Sequence, residues 1–326
     1  MELQIKVILL AFVVSVLAAI VIIPILRRLK VGQIERTDGP QSHLKKQGTP
    51  TMGGIIMALT ILLVTAYLFV MYHGGSEKGV LERLLPLAFV TVGFGVVGFV
   101  DDFKKLVLKN TKGLKPLYKI IGLLIIAVAF VLYLIKVLSI GTQTYIPIIK
   151  QYIDLPIWIY IPFAIFVLIG TTNAVNLTDG IDGLSTSVTT IITAALTVIS
   201  IKLGLGEVTY LGCILVGSCL GFLIFNLHPA KVFMGDTGSL LLGGAIAGMA
   251  LYMKMPLILI ILALIPIIET FSVMIQVAYF KKTGNRIFKM APIHHHFELS
   301  GWKENKIVSV FSIITLILSV ISIAIV

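Results

Sequence analysis

Apolar residues fill this chain in long runs separated by short polar stretches. Ten runs stand out, at about 4–26, 52–72, 81–100, 117–140, 157–175, 184–204, 208–227, 237–254, 256–280 and 306–326. Each is close to the ~20 residues that an α-helix needs to cross a hydrocarbon core of roughly 30 Å. The runs are continuous, whereas the strands of a membrane β-barrel alternate apolar and polar positions in shorter segments. The pattern therefore predicts an all-α integral membrane protein of about ten transmembrane helices, forming one polytopic domain over residues 1–326 in the lipid bilayer. The first run is too long for the core of a signal peptide and has no small-residue cleavage site behind it. Its basic cluster, Arg27, Arg28 and Lys30, also follows the run, so it reads as an anchor with its N-terminus outside.

Composition supports this class, because 58% of the 326 residues are hydrophobic, above the share in soluble domains. Cys213 and Cys219 lie six apart in one run, on different helix faces, which favours core packing over a disulfide. Ten spans put both termini on one side, and the connections after spans 1, 3, 5, 7 and 9 on the other. Those connections carry 19 of the 26 basic residues: six in 27–51, six in 101–119, Lys231, and six in 281–306. Basic residues mark cytoplasmic loops. Both termini are thus expected to be extracytoplasmic, and the net charge of +11 gathers on the cytoplasmic face. The excess follows from topology and does not by itself indicate an anionic partner; no nucleic-acid partner is expected.

Acids and histidines obey no such topological rule, yet they gather on the same face. Asp101 and Asp102 follow span 3, Asp179 and Asp182 follow span 5, Asp236 follows span 7, and His294, His295 and His296 follow span 9. The outer connections hold only scattered acids. In "NAVNLTDGIDGLS" (173–185) one helical turn would place Asp179 and Asp182 on one side, with Gly180 and Gly183 allowing close approach; the same residues also suit a capped turn. In "GFVDDFKK" (98–105) the adjacent acids diverge by about 100° on a helix, which gives Asp101 and Asp102 different tasks. In "FNLHPAKVFMGDTGSLLLGG" (225–244) the GDTGS stretch opens a span where free N–H groups favour an anion, and Asp236 could hold a cation over it or simply cap the helix.

Carboxylates without a cysteine or spaced-histidine cage favour Mg²⁺ or Mn²⁺ over zinc. Lys45, Lys46, Lys105, Lys115, Lys119 and Lys231 stand near the acids and could neutralise phosphate. Together these groups describe phosphoryl transfer, which depends on positioning and charge stabilisation. At most two of the three histidines can face one site, whether the segment is extended or helical; one or two would bind or protonate a phosphate at its rim. Glu269, inside an apolar run after Pro266, reads either as functional or as the partner of another buried group.

In order along the chain, "GTPTMGG" (48–54), "GFVDD" (98–102), "NAVNLTDGIDGL" (173–184), "FNLHPAKVFMGDTGSL" (225–240) and "PIHHHFE" (292–298) resemble the phospho-N-acetylmuramoyl-pentapeptide transferase family, over nearly the whole length. The resemblance implies a ten-span enzyme of the bacterial cell membrane with its active site facing the cytoplasm. It would transfer phospho-N-acetylmuramoyl-pentapeptide from its UDP carrier to undecaprenyl phosphate with Mg²⁺, giving lipid I and UMP. It further implies Asp101, Asp102, Asp236 and His294–His296 as catalytic residues, Asp236 as metal ligand, and a homodimer. Around the nucleotide and sugar phosphates it places Lys46, Thr51, Lys105, Lys119, Asn176, Asp179, Asp182, Asn226, Phe233 and Gln276, with Phe233 stacked on uracil. Three rivals are a sibling transferase using UDP-N-acetylglucosamine, a transporter, and a structural scaffold, which would not explain acids and histidines gathered from four loops. A transporter would put its polar residues at mid-membrane and show inverted repeats.

Overall fold

The computed structural model describes residues 2–29, 46, 48–72, 74–75, 77–106 and 113–326. Lys45 lies outside these residues. The helices, in chain order, are α1 (Glu2–Arg28), α2 (Gly54–Tyr72), α3 (Lys78–Leu106), α4 (Pro116–Lys136), α5 (Ile157–Thr178), α6 (Leu184–Lys202), α7 (Gly206–Asn226), α8 (Gly235–Tyr252), α9 (Leu259–Leu262), α10 (Leu264–Thr283), α11 (Ile293–Glu298) and α12 (Glu304–Ile325). Among the described residues nine helices, α1 to α7, α10 and α12, are long and apolar enough to cross a membrane.

The run expected at 237–254 forms α8, which differs from those nine. Its glycines and its polar opening, Gly-Asp-Thr-Gly-Ser, dilute its apolar character, and every residue from Thr237 to Tyr252 is buried. It is the central post of the bundle, packed against α2, α3, α5 and α6. Close packing depends on residues without side chains. A Cβ on Gly54 would overlap the backbone of Gly238, one on Gly98 the carbonyl of Asp236, and one on Gly243 the backbone of Thr172. The same device joins α1 to α7, where Gly217 meets the backbone of Ile8 and Ser15 Oγ donates to the Ser218 carbonyl at 2.8 Å. Such small-residue contacts are how helices associate where lipid offers no hydrophobic contrast.

Two expectations need correction. The run at 256–280 is not one helix. It comprises a 3₁₀ turn (Pro256–Ile258), the single-turn α9, and α10 starting after Ala263. Pro266 has no N–H for the Leu262 carbonyl and its ring crowds that carbonyl, so a continuous helix fails there. The described chain is also not purely helical: β1 (Gln143–Ile146) pairs antiparallel with β2 (Gln151–Asp154), Gln143 opposite Asp154 and Ile146 opposite Gln151. This hairpin docks on the end of the bundle far from Asp101 and Asp236, where Tyr145 N–H donates to the Lys254 carbonyl at 2.8 Å.

Gly98→Ala should therefore lower stability by about 1–3 kcal/mol, the usual cost of overpacking. Thermal unfolding of the detergent-solubilised protein would show it as a lower midpoint; an unchanged midpoint would contradict the close α3–α8 contact.

Candidate active site

The far end of α3 meets the start of α8 through one carboxylate. Asp102 Oδ2 accepts from Thr237 N–H (2.9 Å) and Thr237 Oγ1 (2.7 Å), and its Oδ1 accepts from Asp236 N–H (3.2 Å). Free N–H groups at a helix start attract an anion, and here the anion comes from a neighbouring helix. Gly235, just before, has φ +72°, and a Cβ there would crowd both Asp102 Oδ2 and Thr51 Oγ1. No other residue type fits this turn without strain. Asp102 is thus consumed in holding the site together.

Asp101, its sequence neighbour, faces differently. Its Oδ1 accepts from Leu114 N–H at 2.6 Å, and its Oδ2 pairs with the Lys105 ammonium one turn on. Asp236 stands opposite, and the Lys105 ammonium reaches both acids. Lys105 Nζ and Lys119 Nζ each donate to Asp236 Oδ2 at 3.0 Å, while Asn176 Nδ2 donates to Asp236 Oδ1 at 2.9 Å and to Ser239 Oγ at 2.8 Å. Side chains from α3, α4 and α5 converge on one carboxylate of α8. Asp179, at the C-terminal cap of α5, completes the group: burial, followed by the charges of Asp236, Asp102 and Asp182, pushes its carboxyl up to about 8.

The loop after α5 carries Asp182 to a second cluster. Lys46 Nζ donates to Asp182 Oδ1 (2.8 Å) and to Glu304 Oε2 (2.6 Å), and His228 Nδ1 lies 2.9 Å from Asp182 Oδ2. Burial works against the Lys46 charge, but its bonds to Asp182 and Glu304 outweigh that and raise its pKa. Asp182, His228 and Glu304 present ligand atoms within 4.8 Å of one another, a group able to hold a metal ion.

The "GTPTMGG" segment lies against the start of α8. Phe233 N–H donates to the Pro50 carbonyl (2.8 Å), and the carbonyls of Phe233 and Met234 accept from Gly53 and Gly54 (both 2.9 Å). Thr51 is buried beside Gly235, and Phe233 is half-buried. Asn226 is a strut: it accepts from Thr186 Oγ1 (2.7 Å) and donates to the Val232 carbonyl (3.0 Å). Gln276 likewise braces the loop before the histidines, accepting from Ile287 and Phe288 N–H and donating to the Phe288 carbonyl.

The three histidines separate on the short helix α11. His294 is fully buried with its Nδ1 3.1 Å from Glu269 Oε1, and its Nε2 sits where a Cβ of Gly180 would be, beside Asp179. Glu269 is thereby the buried partner of a histidine. His295 lies against His294, centroids 4.1 Å apart with the rings tilted by 60°, and has its Nδ1 2.7 Å from Glu298 Oε2, while His296 Nδ1 accepts from Lys289 N–H at 3.1 Å.

The structure thus joins Asp101, Asp102, Lys105, Lys119, Asn176, Asp179 and Asp236 in one cluster, and Lys46 with Asp182 in the next. Sequence reading passed over His228 and Glu304. A first-turn glutamate reads as ordinary helix-dipole complementation, and a single histidine carries no spacing, so neither offered a signal. The donor set of the main cluster suits a hard divalent cation: its acids offer only carboxylate oxygens, and the Lys105 ammonium already bridges Asp101 and Asp236.

A family model for glycosyl transferase family 4 matches residues 84–254. Three curated phospho-N-acetylmuramoyl-pentapeptide-transferases align over nearly the full length. That of Acetivibrio thermocellus is 48% identical over 314 residues, covering 96% of this chain and 92% of its own. That of Clostridium perfringens is 50% identical over 317 residues, covering 97% and 95%, and that of Halalkalibacterium halodurans 48% over 314, covering 96% and 94%.

Asp102→Ala should lower stability by about 1–3 kcal/mol, because it strands two backbone N–H groups and a hydroxyl at a buried helix start. Hydrogen exchange at residues 236 and 237 should rise in that variant and stay put in Asp101→Ala. Equal effects from both would refute the different tasks assigned here.

Proposed function

We propose, for a chain that belongs to glycosyl transferase family 4 and to the phospho-N-acetylmuramoyl-pentapeptide transferases, that the acid cluster at the α3–α8 junction is its active site. The protein is a multi-pass membrane transferase that moves phospho-N-acetylmuramoyl-pentapeptide from UDP to undecaprenyl phosphate, giving lipid I and UMP for peptidoglycan synthesis. The observation that carries the site assignment is the convergence of Asp101, Lys105, Lys119, Asn176 and Asp179 on Asp236.

Mg²⁺ is the proposed ion, held by Asp236 with Asp101 and Asp179 in reach; when bound it supplies charge neutralisation to the diphosphate. Lys105 and Lys119 then turn from Asp236 to the phosphate oxygens and stabilise the negative charge that builds on departing UMP. Asn176 keeps Asp236 oriented. Because Asp102 is consumed by Thr237 and the Asp236 N–H, Asp101 is the group assigned to take a proton from the lipid phosphate. The oxygen of that phosphate attacks the sugar-linked phosphorus as the bond to UMP breaks.

Lys46, Thr51, Asp182 and Phe233 are assigned to the nucleotide and its phosphates. Asn226 and Gln276 shape the walls around them, and the histidine helix, anchored at Gly180, closes the rim with His295 and His296. The cytoplasmic orientation rests on the basic loops. It makes α8 the eighth of ten spans in one domain, with both termini outside. A homodimer is the proposed assembly, supported by the family resemblance.

The test is UMP release by purified protein with undecaprenyl phosphate and either UDP-N-acetylmuramoyl-pentapeptide or UDP-N-acetylglucosamine. Release is expected with the first donor only. Asp236→Asn should lower it by at least ~100-fold, the scale of losing one oriented charge at a phosphoryl centre. Chelation should abolish release and added Mg²⁺ restore it. Release with the second donor alone would move the protein to the sibling reaction, and full activity in Asp236→Asn would remove the site assignment.

A further inference from the structure

Glu304 opens the last helix, far along the chain from every other residue of the site. A first-turn glutamate ordinarily serves its own helix. Here its carboxylate turns away from α12: Oε2 accepts from Lys46 Nζ (2.6 Å) and Asp182 N–H (3.3 Å), and His228 Nδ1 lies 3.8 Å off. The side chain is only 7% exposed, so these partners, rather than water, satisfy it. Four segments separated by tens to hundreds of residues meet at this carboxylate.

The neighbouring bonds explain why a second acid is needed. Asp182 already accepts from Lys46 on Oδ1, and on Oδ2 from Ala230 N–H with His228 Nδ1 alongside. Asp182 alone would leave Lys46 tethered at one point and free to swing about it. Glu304 supplies the second tether and, through the Asp182 N–H, ties the loop between α5 and α6 to α12. A lysine ammonium on four rotatable bonds has much conformational freedom to lose, and two anchors remove it before a ligand arrives.

We propose that Glu304 is a positioning residue for the UDP-linked donor, fixing Lys46 and the Asp182 backbone in the nucleotide-binding wall and linking that wall to the last membrane helix. The proposal rests on the reading above that Lys46 and Asp182 contact the donor. Glu304 itself touches neither substrate; it acts through its two partners.

Steady-state kinetics in detergent, varying UDP-N-acetylmuramoyl-pentapeptide and undecaprenyl phosphate in turn, test it with Glu304→Ala, Glu304→Gln and Lys46→Met, alone and combined. Glu304→Ala should raise the donor KM about tenfold or more, the scale of one hydrogen bond to a charged group, with the lipid KM unmoved and kcat within about threefold. Glu304→Gln keeps an acceptor oxygen without the charge and should fall between, near threefold. In the Lys46→Met background Glu304→Ala should add clearly less than it does alone, because only the tie to the Asp182 N–H is then left to lose. Equal rises in both KM values, a loss confined to kcat, or effects that multiply with Lys46→Met would overturn the proposal. If Glu304→Ala does not fold, Glu304→Gln decides: a wild-type donor KM overturns the proposal, and a rise that shrinks in the Lys46→Met background supports it. A donor KM unmoved by Lys46→Met would instead fail the assignment of Lys46, and a wild-type protein without donor-dependent UMP release would fail the reaction itself.

Discussion

Everything at this end of the bundle depends on one anion at a helix start. The Asp102 carboxylate satisfies the free N–H groups of Asp236 and Thr237, which have no partner within α8. Because the acceptor belongs to α3, the bond sets the height of one helix against the other. Gly98, a turn back, then lies against the Asp236 carbonyl. With that register in place, Asp101 and Lys105 face Asp236 without further adjustment. A capping interaction inside one helix would have stabilised α8 equally well but would have placed nothing.

Around this joint the site is a balance of buried charge. Four aspartates in a bundle end would repel one another strongly in a low dielectric. Lys105 and Lys119 offset part of that repulsion, and burial together with the neighbouring negative charges raises the Asp179 carboxyl. The second cluster repeats the arrangement with Asp182 and Glu304 around Lys46.

The sequence was legible where the physics is local. Long apolar runs must become helices in lipid because backbone groups find no other partners, so eight of the nine candidate spans lie close to where the pattern put them, and α10 starts at Leu264 instead of 256. The acids were legible because no rule of topology explains their gathering on one face. Long-range roles were not. Asp101 and Asp102 are adjacent and chemically identical, and only the approach of Thr237 shows that one is structural. Glu304 and His228 gain meaning only when a loop at 46 and a turn at 182 reach them. The break at Ala263 had a local cause in Pro266, but an apolar run on either side hid it. The hairpin at 143–154 is four residues per strand, too short to outweigh the connection in which it sits.

Biosynthesis has to contend with the character of α8. Every residue from Thr237 to Tyr252 is buried among other helices, so α8 presents almost no surface of its own to lipid. Its principal neighbours, α2, α3 and α5, all precede it in the chain. A nascent α8 leaving the ribosome therefore meets a half-built bundle that already offers the small-residue grooves it fits. Insertion of the helix that carries Asp236 is in this sense a folding event: the order in which the chain is made supplies the surroundings that bury the segment.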